Sequence, residues 1–185
     1  VVGGGTAGIT AAAKLLSNFN PEDIMIVEPA DVHYYQPLWT LVGGGVVDAQ
    51  SSVRPMASVI PDGVIWKKNK VSKFHPEENK IELDNGSMVG YEMLCVAPGI
   101  QIDWDKIEGL PQTLGKNGVC SNYDFHQAEY TWEAINSFQG GTAIFTFPST
   151  PIKCAGAPQK IMWLAEETFR QKGIREKSRV IFLSA

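Results

Sequence analysis

The chain has 185 residues, of which 44% are hydrophobic and 19% are charged, and its formal net charge is −4. This length suits one or two globular domains, and the negative charge gives no basic surface of the kind that binds nucleic acid. The sequence contains no run of about eighteen apolar residues, the length needed to cross a membrane. Its three cysteines include no CxxC pair, which argues against a disulfide scaffold or a zinc site.

A glycine-rich turn opens the chain. Val1 and Val2 predict the end of a strand, and the next six residues, Gly3-Gly4-Gly5-Thr6-Ala7-Gly8, match Gly-x-Gly-x-x-Gly and lead into an apolar helix predicted from Ala7 to Phe19. In this pattern Gly3 permits a tight turn, Gly5 lets the backbone approach a pyrophosphate, and Gly8 lets helix and strand pack closely. The helix N-terminus, with Thr6 and Ala7, then binds the phosphates.

An acidic residue follows the second predicted strand. Ile24-Met25-Ile26-Val27 is continuously apolar and ends at Glu28, twenty residues after Gly8. A carboxylate at this distance accepts hydrogen bonds from a ribose 2′-hydroxyl, which favours an adenine dinucleotide without a 2′-phosphate.

Residues 31–45 are predicted to form a long loop that is rich in aromatic residues and ends in three glycines. Long ordered loops are usually functional, although the aromatics could equally well cap a core. Residues 54–60 are predicted to form a short helix. His33, His75 and His126 lack metal-ligand spacing, and we expect them on loops or at the surface; no metal site is predicted.

Residues 63–96 show the pattern of a small β-meander. Segments 64–66, 70–74 and 80–83 alternate roughly with period two, and Asp84-Asn85-Gly86-Ser87 predicts a turn. The apolar segment 93–96 is predicted to be a strand buried on both faces, with Cys95 as a core thiol. It ends at Ala97-Pro98-Gly99, where Gly99 would allow a ligand close to the backbone.

A second α/β unit is predicted after the glycines at 109, 115 and 118. We expect a helix over 123–138, a strand over 143–147, a helix over 157–171 and a strand over 179–183. This unit has no Gly-x-Gly-x-x-Gly, and prolines 148, 151 and 158 occupy its first strand-to-helix turn. Because the chain begins inside one strand and ends on another, we expect an internal piece of a longer protein.

Cys154 lies in that turn, just before the predicted helix. A helix N-terminus and nearby lysines, here Lys153 and Lys160, favour the thiolate form of a cysteine. A buried structural cysteine is the other interpretation. The strand–loop–helix setting favours a redox or nucleophilic sulfur.

Three segments together resemble the sulfide:quinone oxidoreductase family, in particular its eukaryotic mitochondrial form. They are residues 3–8, the run Tyr35-Gln36-Pro37-Leu38-Trp39-Thr40-Leu41-Val42-Gly43, and the stretch from Phe145 to Lys160 that contains Cys154-Ala155-Gly156-Ala157-Pro158. The family has an FAD-dependent pyridine nucleotide-disulfide reductase-like fold. The resemblance implies oxidation of sulfide at a cysteine pair beside FAD, a sulfane sulfur product and transfer of electrons to ubiquinone.

The resemblance also implies roles for single residues. Cys154 matches the first redox cysteine, Gln36 a loop residue near the flavin end of the cofactor, and Val71 a backbone contact of adenine. The second redox cysteine and the membrane-facing C-terminal helices have no match in this chain. Cys120 lies where bacterial relatives carry an auxiliary cysteine, and a buried small residue is our default interpretation.

The predicted fold is therefore α/β. Residues 1–110 form an FAD/NAD(P)-binding Rossmann-like domain with a β-meander insertion, and residues 115–185 form the start of a second Rossmann-like domain. Implied partners are sulfide, ubiquinone, a sulfur acceptor such as sulfite or glutathione, and the mitochondrial inner membrane, to whose surface the protein would bind peripherally. A flavocytochrome c sulfide dehydrogenase-like protein with a haem acceptor and a non-catalytic FAD-binding fragment are the alternatives.

Overall fold

The computed structural model describes residues 1–184. They form two compact units: the first consists of Val1–Tyr35 and Val53–Gln101, and the second of Gln36–Ser52 and the described residues from Ile102 onward. The aromatic segment after residue 35 therefore belongs to the second unit, although it lies within the first sixty residues of the chain. Packing, which sequence order does not reveal, decides this membership.

The first unit contains a short parallel array of strands beside one helix. Helix α1 covers Thr6–Leu15, and strands β1, β2, β3 and β4 cover Met25–Val27, Val32–Tyr34, Val53–Pro55 and Ile65–Lys67. Val2 forms parallel bridges with Val27 and Val96, and β1 pairs in parallel with β4. Ala12 of α1 is fully buried in a cluster with Ile24, Ile26 and Val64. Burial of these apolar side chains is what fastens the helix to the strands.

A three-stranded antiparallel meander completes this unit. Its strands are β5 at Val71–His75, β6 at Lys80–Leu83 and β7 at Met88–Gly90. Ile81 and Leu83 of β6 are buried against Val2 and Val27. The structure confirms the predicted strands at 70–74 and 80–83, whereas β7 was not predicted. The third predicted segment, 64–66, largely coincides with β4, which pairs with β1 and not with the meander.

Two helix predictions in the first unit were wrong. Helix α1 ends at Leu15 rather than at Phe19, and the Ser17 hydroxyl donates to the carbonyl of Lys14, which offers the backbone an alternative to further helix. Residues 54–60 do not form a helix: β3 pairs with β2 and is followed by a single turn of 3₁₀ helix. Pro55 accounts for this, since proline keeps the preceding residue, Arg54, extended.

The prediction of a strand buried on both faces over residues 93–96 was also wrong. Val96 makes a single bridge to Val2, while Val96 is 51% exposed and Met93 is 65% exposed. Cys95 is half-buried rather than a core residue. This segment lies at the edge of the array, where Val2 covers one side.

The second unit is an α/β arrangement around two parallel strands. Its helices are α2 at Trp39–Gly43, α3 at Leu110–Thr113, α4 at Phe125–Ser137 and α5 at Ala157–Gln171, and its strands are β8 at Gly141–Phe147 and β9 at Ser178–Ser184. β8 and β9 pair in parallel along their whole length. The predicted bounds of α5 are confirmed, and those of the other long elements differ from the prediction by a few residues. Residue 185, in the predicted second domain, lies outside the described residues.

The core of the second unit lies between α4, α5 and the strands. Buried Ile135, Ile161, Ala165, Phe169 and Ile174 form the cluster. Phe169 is 1% exposed, and burial of such a ring contributes about 1.5–3 kcal/mol. The apolar faces of α4 and α5 therefore pack inward.

Helix α2 approaches its neighbours through its glycines. A side chain on Gly43, Gly44 or Gly45 would overlap Asn122, Leu164 or Trp132 respectively. The three glycines thus let α2 pack closely against α4 and α5.

Shorter 3₁₀ turns occur at Pro21–Asp23, Gln36–Leu38, Ala49–Ser52, Met56–Ser58, Pro76–Glu78, Trp104–Lys106 and Arg175–Lys177. None of the helices within residues 1–184 is long and apolar enough to cross a membrane.

Candidate functional site

The glycine-rich loop of the first unit is a turn that tolerates no larger residue at two points. Gly3 has φ +101°, and a Cβ there would overlap the carbonyl oxygen of Ala97. A Cβ on Gly8 would overlap the carbonyl oxygen of Gly3. Close approach of strand, loop and helix therefore depends on both residues, as the pattern predicts.

The start of helix α1 is open to a ligand. Gly5, Thr6 and Ala7 are exposed, and a Cβ added to Gly5 would meet no atom within 4 Å. Gly5 provides no capping side chain, and the first turn of the helix contains no acidic residue. Because the first N–H groups of a helix have no intrahelical partner, this end suits an anionic group such as a pyrophosphate.

Glu28 lies directly beside this loop. Its Oε2 accepts a hydrogen bond of 2.7 Å from the Gly4 N–H, and its Oε1 accepts one of 2.8 Å from the Ala30 N–H. A Cβ on Gly4 would overlap the Glu28 side chain. The carboxylate that the sequence assigns to a ribose thus also fixes the peptide of the glycine loop.

His33 holds the same peptide from the other side and was missed by sequence reasoning. The prediction of a loop or surface position was wrong, because His33 lies on β2 and is 8% exposed. Its Nδ1 lies 3.2 Å from the carbonyl oxygen of Gly4. Since a carbonyl only accepts, Nδ1 carries the hydrogen and donates it. No spacing rule in the sequence links position 33 to position 4. The one feature that could have indicated this contact is a histidine that follows the acid at position 28 on a strand.

Val71 and Gly99 are the other two predicted cofactor contacts in this unit, and neither takes part in the hydrogen bonds that hold Gly4. Val71 pairs with Leu83 at the start of β5, and its side chain packs against the cluster around Val2. Gly99 is exposed with φ +78°, two residues after the Ala97 carbonyl that lies against Gly3. Their roles in binding a cofactor stay predictions.

The residues of this site fit the ADP portion of FAD. The fit rests on the open helix N-terminus at Gly5 and on the carboxylate of Glu28 fixed beside it. Thr6, Ala7 and Gly8 supply backbone N–H groups at the same helix end. This donor set suits a pyrophosphate and a ribose rather than a metal ion.

In the second unit, Cys154 lies on a loop of residues 148–156, here called the cysteine loop, between β8 and α5. Cys154 is exposed, and its carbonyl accepts a hydrogen bond of 3.4 Å from the N–H of Ala157, the first residue of α5. The first turn of α5 contains Pro158 and no acidic residue. Cys154 thus lies three residues before the first residue of α5, near the helix N-terminus, as predicted.

Lys153 binds a group of side chains that includes the predicted cofactor contact Gln36. Its Nζ donates to Gln36 Oε1 and lies 5.2 Å from the ring centroid of Trp39 and 4.9 Å from that of Tyr123. We call Gln36, Trp39 and Tyr123 the lysine cage. Burial lowers the pKa of Lys153, and the charge of Asp124 partly offsets this effect. Gln36 is thus brought next to the residue that precedes Cys154.

The other two cysteines have structural settings. Burial raises the pKa of the Cys120 thiol to about 11, and its Sγ lies 3.3 Å from the Gly118 carbonyl oxygen, to which the thiol donates. Such a thiol is protonated near neutral pH, which disfavours a nucleophilic role. Among the described residues no disulfide joins Cys95, Cys120 and Cys154.

Relatives of known identity match the chain along its whole length. The mitochondrial sulfide:quinone oxidoreductase of Mus musculus is 48% identical over 185 residues, which are 100% of this chain and 41% of that protein. The chain is homologous to the mitochondrial sulfide:quinone oxidoreductases. The Dictyostelium discoideum member is also 48% identical, over 187 residues, with the same coverage of 100% and 41%. No family model matches the chain.

A solved structure shares the fold. The sulfide:quinone oxidoreductase of Aquifex aeolicus matches with a TM-score of 0.78 at 21% identity, covering 99% of this chain and 42% of that one. At this identity the likeness shows the mixed α/β fold of these proteins. The chain spans about two fifths of the length of the sulfide:quinone oxidoreductases that it matches, 41% in the Mus musculus protein.

Proposed function

We propose that this chain is the part of a sulfide:quinone oxidoreductase that binds the ADP portion of FAD and supplies the first redox cysteine. The observation that carries the proposal is the exposed Cys154, three residues before the first residue of α5, in a chain 48% identical to mitochondrial sulfide:quinone oxidoreductases. The open glycine loop with its fixed carboxylate supports the cofactor assignment.

In this proposal the first unit is an FAD-binding Rossmann-like domain with a meander insertion, and the second is the start of another such domain. Gly3 and Gly8 shape the loop, and Gly5, Thr6, Ala7 and the N-terminus of α1 bind the pyrophosphate. Glu28 binds the ribose while it holds Gly4. Val71 and Gly99 are proposed as further cofactor contacts of this unit, and the role of Gln36 as a cofactor contact rests on the resemblance alone.

Cys154 carries the sulfur chemistry. In the oxidised enzyme it forms a disulfide with a second cysteine, for which this chain has no match. Hydrosulfide attacks this disulfide, one S–S bond breaks, a persulfide forms on one cysteine, and the other leaves as a thiolate. Exposure of Cys154 gives the small anion access to the sulfur. FAD, when bound, takes the two electrons released from sulfur and passes them to a quinone.

The partners of the whole protein follow from the same proposal. They are sulfide, ubiquinone and a sulfur acceptor such as sulfite or glutathione, which removes the sulfane sulfur and regenerates the thiol. The Mus musculus and Dictyostelium discoideum relatives are mitochondrial proteins, and we propose the inner membrane, bound peripherally, for this protein.

The test is the Cys154→Ser variant of the full-length protein. Serine keeps the size of the side chain but forms no persulfide, so sulfide-dependent flavin bleaching should fall by at least about 100-fold while FAD stays bound. Stopped-flow absorbance of the flavin measures this rate.

Cys120→Ser is the matched control, because the Cys120 thiol is half-buried and hydrogen-bonded to the backbone. It should bleach at nearly the rate of the unmodified protein. Normal bleaching in Cys154→Ser would remove Cys154 from the mechanism.

A further inference from the structure

The side chain of Lys153 ties the cysteine loop to a distant part of the second unit. Its hydrogen bond with Gln36 joins residues 117 positions apart in the chain. The rings of Trp39 and Tyr123 lie 5.2 and 4.9 Å from the ammonium, within the distance of about 6 Å at which cation–π attraction acts. Lys153 is exposed as a residue, yet its charged end is occupied by three partners.

Two of the partners of Lys153, Trp39 and Tyr123, belong to or adjoin helices. Trp39 is 5% exposed in α2, and its Nε1 donates to Ser52 Oγ at 3.3 Å. Tyr123 precedes Asp124, whose carboxylate accepts from the backbone N–H groups of His126 and Gln127 and so caps α4. A loop residue bound to two fixed rings loses much of its own freedom.

Cys154 therefore lies between two fixed points. Lys153 is bound by the lysine cage on one side, and on the other the Cys154 carbonyl accepts from Ala157 at the start of α5. Fixation of the flanking residues limits where the sulfur can move. Reaction rates depend steeply on such placement.

We propose that Lys153 is a positioning residue, whose binding by Gln36, Trp39 and Tyr123 fixes the cysteine loop and sets the position of the Cys154 sulfur. The effect of this position on turnover rests on the function proposed above, whereas the fixation of the loop is independent of it. Lys153 contributes through its cage and not through contact with sulfide.

Hydrogen exchange of the full-length flavoprotein tests the fixation without any substrate. Lys153→Met removes the charge at similar length, and the loop amides should exchange about tenfold faster. Tyr123→Leu removes one ring and should act in the same direction, whereas Lys153→Arg and Tyr123→Phe, which keep charge and ring, should stay near the unmodified rate. Lys177→Met, an exposed lysine of the same unit, is the matched control.

A double-mutant cycle distinguishes positioning from a direct electrostatic role. If the cage is the cause, Lys153→Met combined with Tyr123→Leu should speed loop exchange and slow sulfide-dependent flavin bleaching no more than the stronger single variant. The FAD content should not change. Additive effects on bleaching, unchanged loop exchange in Lys153→Met, or an equal effect of Lys177→Met would overturn the proposal.

The two proposals fail separately. Normal bleaching in Cys154→Ser would refute the sulfur chemistry and with it the role of Lys153 in turnover, but the exchange rates of the loop would still measure its fixation by the cage. Altered exchange with unaltered bleaching would refute the positioning role, while the role of Cys154 as a redox cysteine would stand.

Discussion

In the candidate cofactor site, side chains bind both the N–H and the carbonyl oxygen of Gly4. Glu28 accepts from its N–H at 2.7 Å and His33 donates to its carbonyl oxygen at 3.2 Å. Gly4 itself is buried, whereas Gly5 beside it is exposed. The protein thus fixes the orientation of one peptide and leaves the next open to a ligand, which lowers the entropic cost of binding.

Glu28→Ala tests this arrangement. The variant removes the acceptor for Gly4 and Ala30 together with the proposed ribose ligand, so the dissociation constant for FAD should rise by roughly 5- to 150-fold, which corresponds to about 1–3 kcal/mol. Fluorescence titration of the full-length apoprotein with FAD measures the constant.

Glu22→Ala is a suitable control, because Glu22 is exposed on the 3₁₀ turn that precedes β1. It should leave the affinity for FAD unchanged. If Glu28→Ala binds FAD as tightly as the unmodified protein, the ribose site lies elsewhere.

At the scale of elements, α5 is the helix that the second unit is built around. Its apolar face carries the core residues Ile161, Ala165 and Phe169. On the same helix Glu166, whose side chain is 11% exposed, accepts from Arg175 Nε at 2.8 Å and from Arg170 at 2.9 Å. The carboxylate thus connects α5 to the turn that leads into β9.

This ion pair makes the stability of the second unit depend on pH. The hydrogen bond from Arg175, with a further contribution from Arg170, lowers the pKa of Glu166 below its ordinary value of 4.5. A carboxylate with a lowered pKa stabilises the fold above its unfolded-state pKa and loses this contribution as the pH falls through the folded-state pKa. The stabilisation is therefore present at neutral pH and absent in strong acid.

Glu166→Gln should accordingly lower the melting temperature by a few degrees at pH 7 and by much less in strong acid, where the carboxylate is protonated. Thermal unfolding followed by circular dichroism across this pH range measures the difference. Glu167→Gln is the matched control, since Glu167 is exposed and bound to Gln171 one helical turn away. Equal shifts for both variants at every pH would contradict the assignment.

At the scale of the whole molecule, a ligand that binds the first unit should stabilise the folded protein. The stabilisation should be larger for a ligand that carries more of the groups this unit binds. The site at Gly5 and Glu28 addresses a pyrophosphate and a ribose. FAD at 100 times its dissociation constant should therefore add about 2.7 kcal/mol to the free energy of unfolding. ADP should give a smaller increase, and riboflavin, which lacks both groups, almost none.

Differential scanning fluorimetry of the full-length apoprotein with these three ligands at matched concentrations makes the comparison. Stabilisation by riboflavin equal to that by FAD would show that the flavin end, rather than the glycine loop, dominates binding.

Local patterns in the sequence alone predicted many of the secondary-structure elements and part of the candidate site. The glycine spacing of residues 3–8, the acid at position 28, the strands β5 and β6 and the bounds of α5 were predictable, because each depends on neighbouring residues and regular periods. The position of Cys154 before a helix follows from the same local signals. Homology then supplied the family.

Tertiary structure decided what depends on residues far apart in the chain. The burial of His33 against Gly4, the pairing of residues 65–67 with β1 and the binding of Lys153 by Gln36 each join distant segments. Residues 53–55 form a strand that pairs with β2, although they overlap a segment predicted to be a helix. No periodicity encodes such contacts, since they arise only when packing brings separate elements together and buries their shared surface.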